Sequence, residues 1–400
     1  MKTAAQFVGL RSMAWRSSAR PCSFPESRVA RCWPALLAIS LLAAATATAH
    51  AETCTTQSGM APAERDAIAD AARNLAARVQ SNDAAALRTV SVAELAKDFG
   101  ALQYLVGQTA PRLTGGVASV EQVYLLDAST LKRNPDGSAP DAEFFCSLNR
   151  STMEAEFVIP ALPPGRYAFA MVTVAPAPGA ATPAPWRLSF LLRQEPPDPA
   201  HGKWLLAGFY PKPMAAAGHD GLWYWTQARQ FAKDKQPWNA WLYYQAAQKL
   251  LQPADFVIST HLDKLRTEAA AAAPPALSEG VSVDAPLVVK PADGAEYHFT
   301  GLGVDDSLAQ SSLDIEVHLR VDTPAPPSPD ANSNPNAKAE SKPVPASADP
   351  AAARKRNNAA ASALIAAYPE LRKPFHGVWV YADTPGQNTF ATEQPMSDIK

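Results

Sequence analysis

The sequence predicts an α+β protein: N-terminal helices on an antiparallel curved sheet, a central helical hairpin, and a small C-terminal β-rich domain with one helix. Three observations lead to this prediction. Apolar residues recur at helical spacing in 63–79 and 91–105, and strand-like segments separated by turns fill 120–210. An aromatic-rich stretch, 218–264, returns to helical spacing before a second group of strand-like segments.

The N-terminal segment has the features of a secretory signal. Six basic residues precede or flank the start of an apolar run, 34–49, and Ala49-His50-Ala51 forms an A-x-A cleavage site. The run is shorter than a comfortable membrane span, so we expect no stable span after cleavage; the alternative is an uncleaved anchor. We assign 1–51 to a signal peptide and expect a periplasmic or secreted protein, with a bacterial source indicated by the alanine and proline content.

Charge and cysteine content fit export. Cleavage would remove six of the 36 basic residues and one of the 38 acidic residues, which leaves a net charge of about −7. A surface for nucleic acid or anionic membrane is therefore not expected. Cys54 and Cys146 remain after cleavage. They either form a disulfide, which would contribute on the order of 4 kcal/mol, or stay reduced, with Cys146 buried.

Residues 52–214 are expected to form the first domain. Ser81-Asn82-Asp83 ends its first helix and can cap the next one. Strands are predicted at 120–126, 143–148, 155–159, 166–174, 186–193 and 203–210, with the last three in an antiparallel meander. Both faces of this meander are apolar, so we expect one face to meet the helices and the other to meet the aromatic hairpin.

This order of helices, meander and tryptophan-containing last strand (WLLAGFYPKP) resembles the α+β roll of the nuclear transport factor and cystatin-like superfamily. Enzymes of that superfamily aim an Asp, His or Tyr into the cone. Glu121 and Asp127 are the only acids near this sheet in the sequence, so we expect no catalytic residues here. An immunoglobulin-like sandwich is the alternative, since IPALPPGRYAF also suits paired strands of a sandwich.

The aromatic stretch within 215–275 predicts two antiparallel helices. Pro237 suits the first position of the second helix, and Pro253 closes the pair. Tyr224, Ala228 and Phe231, followed by a small-aromatic-small pattern, resemble one tetratricopeptide repeat; a plain helical hairpin is the alternative. One repeat cannot bury its own faces, so we expect it to pack on the preceding domain. Its candidate binding surface is aromatic: Trp223, Tyr224, Trp225, Trp238, Trp241 and Tyr244.

Residues 276–400 are predicted to form the β-rich domain. Its strands are expected at 281–289, 296–301, 313–321 and 375–381, with one helix at 359–371. Leu313, Ile315, Val317 and Leu319 alternate with polar residues, which indicates one buried and one wet face. Residues 322–358 are rich in Pro, Ala, Ser and Asn, which predicts a disordered insertion.

Chemical motifs were not found in the sequence. The histidines are scattered without metal-ligand spacing, so we expect no metal and no cofactor. His219-Asp220 is interpreted as a helix start with Asp220 as its cap, and His298 and His318 as exposed. The function that the sequence favours is an exported binding or assembly module with a protein partner in the envelope. The alternative is a small-ligand-binding protein or enzyme that uses the cavity of the roll domain.

Overall fold

The structure is a computed structural model that describes residues 52–148, 152–179, 184–197, 202–278, 280–291, 294–305, 312–321, 349–384 and 388–399. The leader lies outside these residues. The N-terminal helices form the outer layer of its first part. Strand β1 (Thr53–Thr56) is followed by α1 (Pro62–Gln80), α2 (Ala84–Thr89), α3 (Ala93–Lys97) and α4 (Gly100–Leu113). Asp83 caps α2 by accepting a hydrogen bond of 2.9 Å from Ala86 N, as predicted. All of these elements belong to a compact unit that spans His50–Lys400, and the predicted boundaries within that unit stay predictions.

Two antiparallel sheets follow the helices. Their strands are β2 (Val117–Asp127), β3 (Ala142–Leu148), β4 (Thr152–Ile159), β5 (Arg166–Ala175), β6 (Trp186–Glu195) and β7 (Lys203–Pro213). The first sheet has the order β1-β2-β5-β6-β7, and its last three strands form the predicted meander. Strands β3 and β4 belong to a separate small sheet.

The first sheet is covered on both faces. Val172, Leu188 and Phe190 pack with the buried face of α1. The opposite face, including Tyr167 and Phe169, packs mainly against β3 and β4, and Phe256 from the end of the aromatic stretch also contacts it, 5.6 Å from Phe169 between ring centroids. The prediction that the aromatic stretch covers this face is therefore correct only for this short segment and wrong for its two helices. The reason is that alternate residues of β3 and β4 are themselves large and apolar and supply the missing layer.

The central part is helical, as predicted. After the short strands β8 (Ala215–Ala216) and β9 (His219–Asp220) come α5 (Gly221–Lys233), α6 (Pro237–Leu251), β10 (Val257–Ile258) and α7 (Thr260–Ala272). Asp220 accepts a hydrogen bond of 2.8 Å from Trp223 N, which confirms its predicted role as the cap of α5. Strand β10 joins β4 and so ties this part of the chain to the small sheet.

The C-terminal sheet contains β11 (Leu287–Val289), β12 (Tyr297–Asp305), β13 (Leu313–Arg320), β14 (Phe375–Asp383) and β15 (Phe390–Pro395) in that order. Its strands are antiparallel except β13 and β14, which run parallel. A parallel pair needs a crossover, which here contains helix α8 (Pro350–Ala367).

Helix α8 corrects the predicted extent of the insertion. It begins at Pro350, where Asp349 accepts a hydrogen bond of 2.9 Å from Ala351 N, whereas the sequence predicted disorder up to residue 358. Ala353 and Asn357 are fully buried, so tertiary packing orders this turn although its composition is polar. Residues 322–348 lie outside the described residues.

The aromatic hairpin packs mainly with the C-terminal part, contrary to the prediction that it would pack on the preceding domain. Tyr243 lies 5.8 Å from Phe375 between ring centroids, and Trp238 lies 4.0 Å from Tyr368. Asn239 Nδ2 also donates a hydrogen bond of 2.9 Å to Glu370 O. None of the helices in the described chain has both the length and the apolar content that a bilayer crossing requires.

Candidate functional site

The six aromatic residues proposed as a binding surface are mostly buried. Tyr224, Trp225, Trp238 and Tyr244 are at most 7 % exposed, so these four belong to the core and not to an exposed surface, a choice that the sequence left open. Trp223 and Trp241 are half-buried at the edge of the same core. The C-terminal sheet covers the hairpin, and sequence spacing within the hairpin could not reveal that cover.

The polar ends of these buried rings are satisfied inside the protein. Tyr224 donates its hydroxyl to Ala216 O at 2.8 Å, and Trp225 donates Nε1–H to Glu268 Oε2 at 2.7 Å. Arg229 binds the same carboxylate, and its hydrogen bonds hold the pKa of Glu268 below its usual value. Buried aromatic rings whose polar atoms are hydrogen-bonded inside the protein, here beside the Arg229–Glu268 ion pair, are typical of a structural core.

The position expected for a cone cavity is occupied by side chains. Phe190 and Phe209 stack there with their ring centroids 5.3 Å apart. Asp127 lies 3.8 Å from Arg166, which also pairs with Glu64 at 2.6 Å. These groups form a structural ion-pair network, and they offer no isolated base for catalysis.

Cys54 and Cys146 form a disulfide, one of the two alternatives left open by the sequence. Their Cα atoms are 5.0 Å apart, and the bond joins β1 of the first sheet to β3 of the small sheet. The bond therefore fastens the two layers of the first part to each other.

Polar and aromatic groups are concentrated on the outer face of the C-terminal sheet. Its core face carries Phe299, Ile315, Val317 and Val378. We call the opposite side the histidine face, which comprises His298, Asp314, Glu316, His318, Arg320, His376, Trp379, Tyr381, Asp383 and Glu393. Four strands of the sheet contribute to this face. The sequence alternation of β13 predicted its wet side, but the contribution from β14 and β15 depends on strand pairing.

His318 lies near the centre of the histidine face between two carboxylates. Its Nδ1 is 2.8 Å from Asp383 Oδ2, and its Nε2 is 3.4 Å from Glu316 Oε1. The hydrogen bond with Glu316 is the main cause that raises the pKa of His318 to about 9, with Asp383 adding to it against the cost of burial. The ring therefore carries a positive charge at neutral pH, and it stacks on Tyr381 at 5.3 Å.

His376 belongs to a second cluster at the beginning of β14. Its Nδ1 is 3.0 Å from Asp314 Oδ1 and 3.6 Å from Glu393 Oε1, so one nitrogen faces two carboxylates. Asp314 is fully buried and its Oδ2 has no hydrogen-bond partner. Burial raises the pKa of Asp314, whereas the hydrogen bond from His376 and, more weakly, the nearby indole of Trp379 lower it.

A groove of about 350 Å³ borders the His318 end of this face. Helix α6 forms one wall through Gln245 and Lys249, and β12 and the Glu316–His318 pair form the rest. Gly301 and Gly303 of β12 line it, and a Cβ added at Gly303 would meet no atom within 4 Å. Glycine in a strand can mark a place where a ligand or another backbone approaches closely, and this groove has that geometry.

The two histidine clusters differ in the chemistry that they offer. Both ring nitrogens of His318 are paired with carboxylates, while the two carboxylates around the single nitrogen of His376 suit a cation. His219, interpreted from the sequence as part of a helix start, stacks on Trp223 with ring centroids 3.6 Å apart and does not join either cluster. Comparison of this chain with protein-family models, curated proteins and solved structures gave no match.

Proposed function

We propose that this protein is an exported binding or assembly module of the bacterial envelope and that it binds a protein partner through the histidine face. The observation that carries the proposal is the concentration of charged, histidine and aromatic side chains on one sheet surface beside a glycine-lined groove. His318 and Asp383 are each about 40 % exposed, so a partner can reach them. Aromatic residues are enriched at protein interfaces, and Trp379 and Tyr381 supply them on this face.

Export is part of this proposal and has two supports. The N-terminal segment has the sequence features of a signal peptide. The Cys54–Cys146 disulfide is of a kind that persists in oxidising compartments such as the periplasm. The resemblance to the nuclear transport factor roll and to a tetratricopeptide hairpin stays a prediction. The binding proposal does not depend on either resemblance, because the residues of the histidine face lie in the C-terminal sheet.

The alternative function, a ligand or catalytic site in the roll cavity, has less support. Phe190 and Phe209 fill the expected position with stacked rings. A ligand there would have to displace large buried side chains. In a packed core this costs several kcal/mol, roughly as much as replacing one such ring by alanine. The histidine face needs no such rearrangement.

The test is capture of envelope proteins by the immobilised protein and by two tyrosine variants. Tyr381→Ala removes a ring from the histidine face, while Tyr104→Ala removes a ring that is 70 % exposed on α4. We expect a partner retained by the wild type and by Tyr104→Ala to be lost from Tyr381→Ala, with circular dichroism confirming that both variants are folded. Equal retention by all three proteins would contradict the proposal.

A further inference from the structure

We propose that Asp314, His376 and Glu393 form a binding site for a divalent transition-metal ion of the zinc type, with one coordination position left for water or an outside ligand. The three residues come from β13, β14 and β15, and one ligand atom from each lies within 4.8 Å of the others. This site stands on its own geometry and does not require that the histidine face bind a protein.

The two distances measured from His376 Nδ1 are close to those between ligands of one ion. Asp314 Oδ1 and His376 Nδ1 are 3.0 Å apart, and Glu393 Oε1 is 3.6 Å from the same nitrogen. Two ligand atoms at about 2.1 Å from a metal, seen from it at 90–110°, lie about 3.0–3.4 Å apart. A small movement of Glu393, which is 23 % exposed, completes the set.

Hydrogen bonding alone leaves this cluster incomplete. The Nδ1 of His376 carries at most one hydrogen, so it can serve one carboxylate well and not two. The second carboxylate then remains close to the first with an uncompensated negative charge, which is costly beside a fully buried Asp314. A divalent cation would neutralise both carboxylates and use the lone pair of a neutral imidazole.

An orphaned buried atom supports the same conclusion independently. Asp314 Oδ2 is inaccessible to water and has no hydrogen bond of normal geometry, although buried polar atoms nearly always have one. The indole of Trp379 is close enough to lower the pKa of Asp314, but its Nε1–H is likewise left without a partner of normal geometry. Gly377 leaves room beside this carboxylate, since a Cβ there would lie 3.3 Å from Asp314 Oδ1. Buried charged groups are typically either paired or bound to metals.

The ligand types select the class of metal. One imidazole nitrogen with two carboxylate oxygens suits zinc and its neighbours, whereas calcium and magnesium prefer sites built entirely of oxygen. Three protein ligands leave the fourth tetrahedral position open, as in zinc sites that bind water or substrate. His376 is 45 % exposed, so an ion can reach the cluster from solvent.

The experiment is calorimetric titration of the purified protein with Zn²⁺, repeated with Co²⁺ to record the visible absorption of a four-coordinate site. His376→Gln and Glu393→Gln each remove a ligand from a partly exposed position. His261→Gln is the matched control, because it removes an exposed histidine from α7. We expect the wild type and His261→Gln to bind one equivalent with the same affinity, and each ligand variant to lose at least about tenfold.

Two results would overturn the proposal. One is the lack of Zn²⁺ binding by the folded wild type at millimolar metal. The other is equal binding by the wild type, His376→Gln and Glu393→Gln, which would place the metal elsewhere in the protein. The partner-capture experiment is read separately. Loss of the partner with intact Zn²⁺ binding, or the reverse, therefore tells the two proposals apart.

Discussion

Two histidines on the same sheet face differ in how their carboxylates are arranged. Each ring nitrogen of His318 faces a carboxylate of its own, Asp383 or Glu316. Both carboxylates at His376 face a single nitrogen. The first arrangement satisfies an imidazolium completely, because that form has two N–H donors. The second arrangement leaves an excess of acceptors, which a cation can resolve.

Burial makes the difference larger. The carboxylates at His318 are 31 % and 40 % exposed, so water screens them and the ion pairs are of the ordinary surface kind. Asp314 is completely buried, so its ionised form needs compensation within the protein. The same three residue types, one histidine and two acids, therefore form a surface ion pair in one place and a candidate cation site in the other.

The largest expected effect comes from Asn357, which holds β15 and hence Glu393 in place. Its buried Nδ2 lies 3.2 Å from each of Val380 O, Phe390 O and Thr392 Oγ1. Asn357→Ala should lower the free energy of unfolding by about 2–3 kcal/mol, because buried acceptors lose their donor. Urea unfolding measures this. The variant should also bind Zn²⁺ more weakly, while the ion pair between His318 on β13 and Asp383 on β14 stays intact.

The neighbouring Asn358 provides the control for that variant. Its Oδ1 is buried without a hydrogen-bond partner. Asn358→Ala should therefore leave the stability unchanged or raise it slightly, since alanine also favours the helix. Equal destabilisation by both variants would mean that helix α8, and not the bridge to β15, determines the result.

A pair of glycines tests the two clusters with the same substitution. In Gly377→Ala the new Cβ would lie 2.9 Å from Gln394 O on β15, so the strands beside Asp314 have to shift. We expect this variant to lose about 1–2 kcal/mol of unfolding free energy. Gly303→Ala, beside the His318 groove, meets no atom within 4 Å and should stay within about 0.5 kcal/mol of the wild type. Thermal unfolding compares them, and the reverse order would show that the packing described at Gly377 is wrong.

The sequence predicted the elements of this comparison but not their assembly. Alternation in β13 correctly gave a buried face and, except at the buried Asp314, a partly exposed one, and period and proline positions gave the helices of the aromatic hairpin. Asp314 and His376 are 62 positions apart in the chain and meet through the parallel pairing of β13 with β14. No spacing rule covers such a pair, because its register is set by a crossover and by an irregularity between Leu313 and Ile315.

Two other features of the structure also depend on contacts between segments that lie far apart in the sequence. The pairing of Cys54 with Cys146 spans 92 positions and depends on the packing of two sheets. The aromatic hairpin was correct as local structure, yet its rings are buried because a sheet from the far end of the chain covers them. Local patterns therefore predicted secondary structure here, while exposure and site geometry depended on contacts between distant segments.

The smallest expected effect is the pH dependence contributed by His318. Its pKa is about 9 in the folded protein, against about 6.5 in an unfolded chain. Because folding raises this pKa, the stabilisation is complete below pH 6.5 and disappears as the pH rises through 9. Water access to the ring keeps its size below about 1 kcal/mol. Tyr381 beside it stays uncharged in this window, because burial raises its pKa above the usual value.

His318→Gln isolates this contribution. The wild type should be more stable than the variant in urea at pH 6, and the difference should shrink at pH 8 and vanish near pH 10. Glu316, Asp383 and Lys249 are the other charged groups beside His318, and His318→Gln leaves all three in place, so the difference between the two proteins reports the imidazole. A difference that stayed constant from pH 6 to pH 10 would mean that folding does not change the pKa of His318. The contrast with His376 would then rest on geometry alone and not on charge.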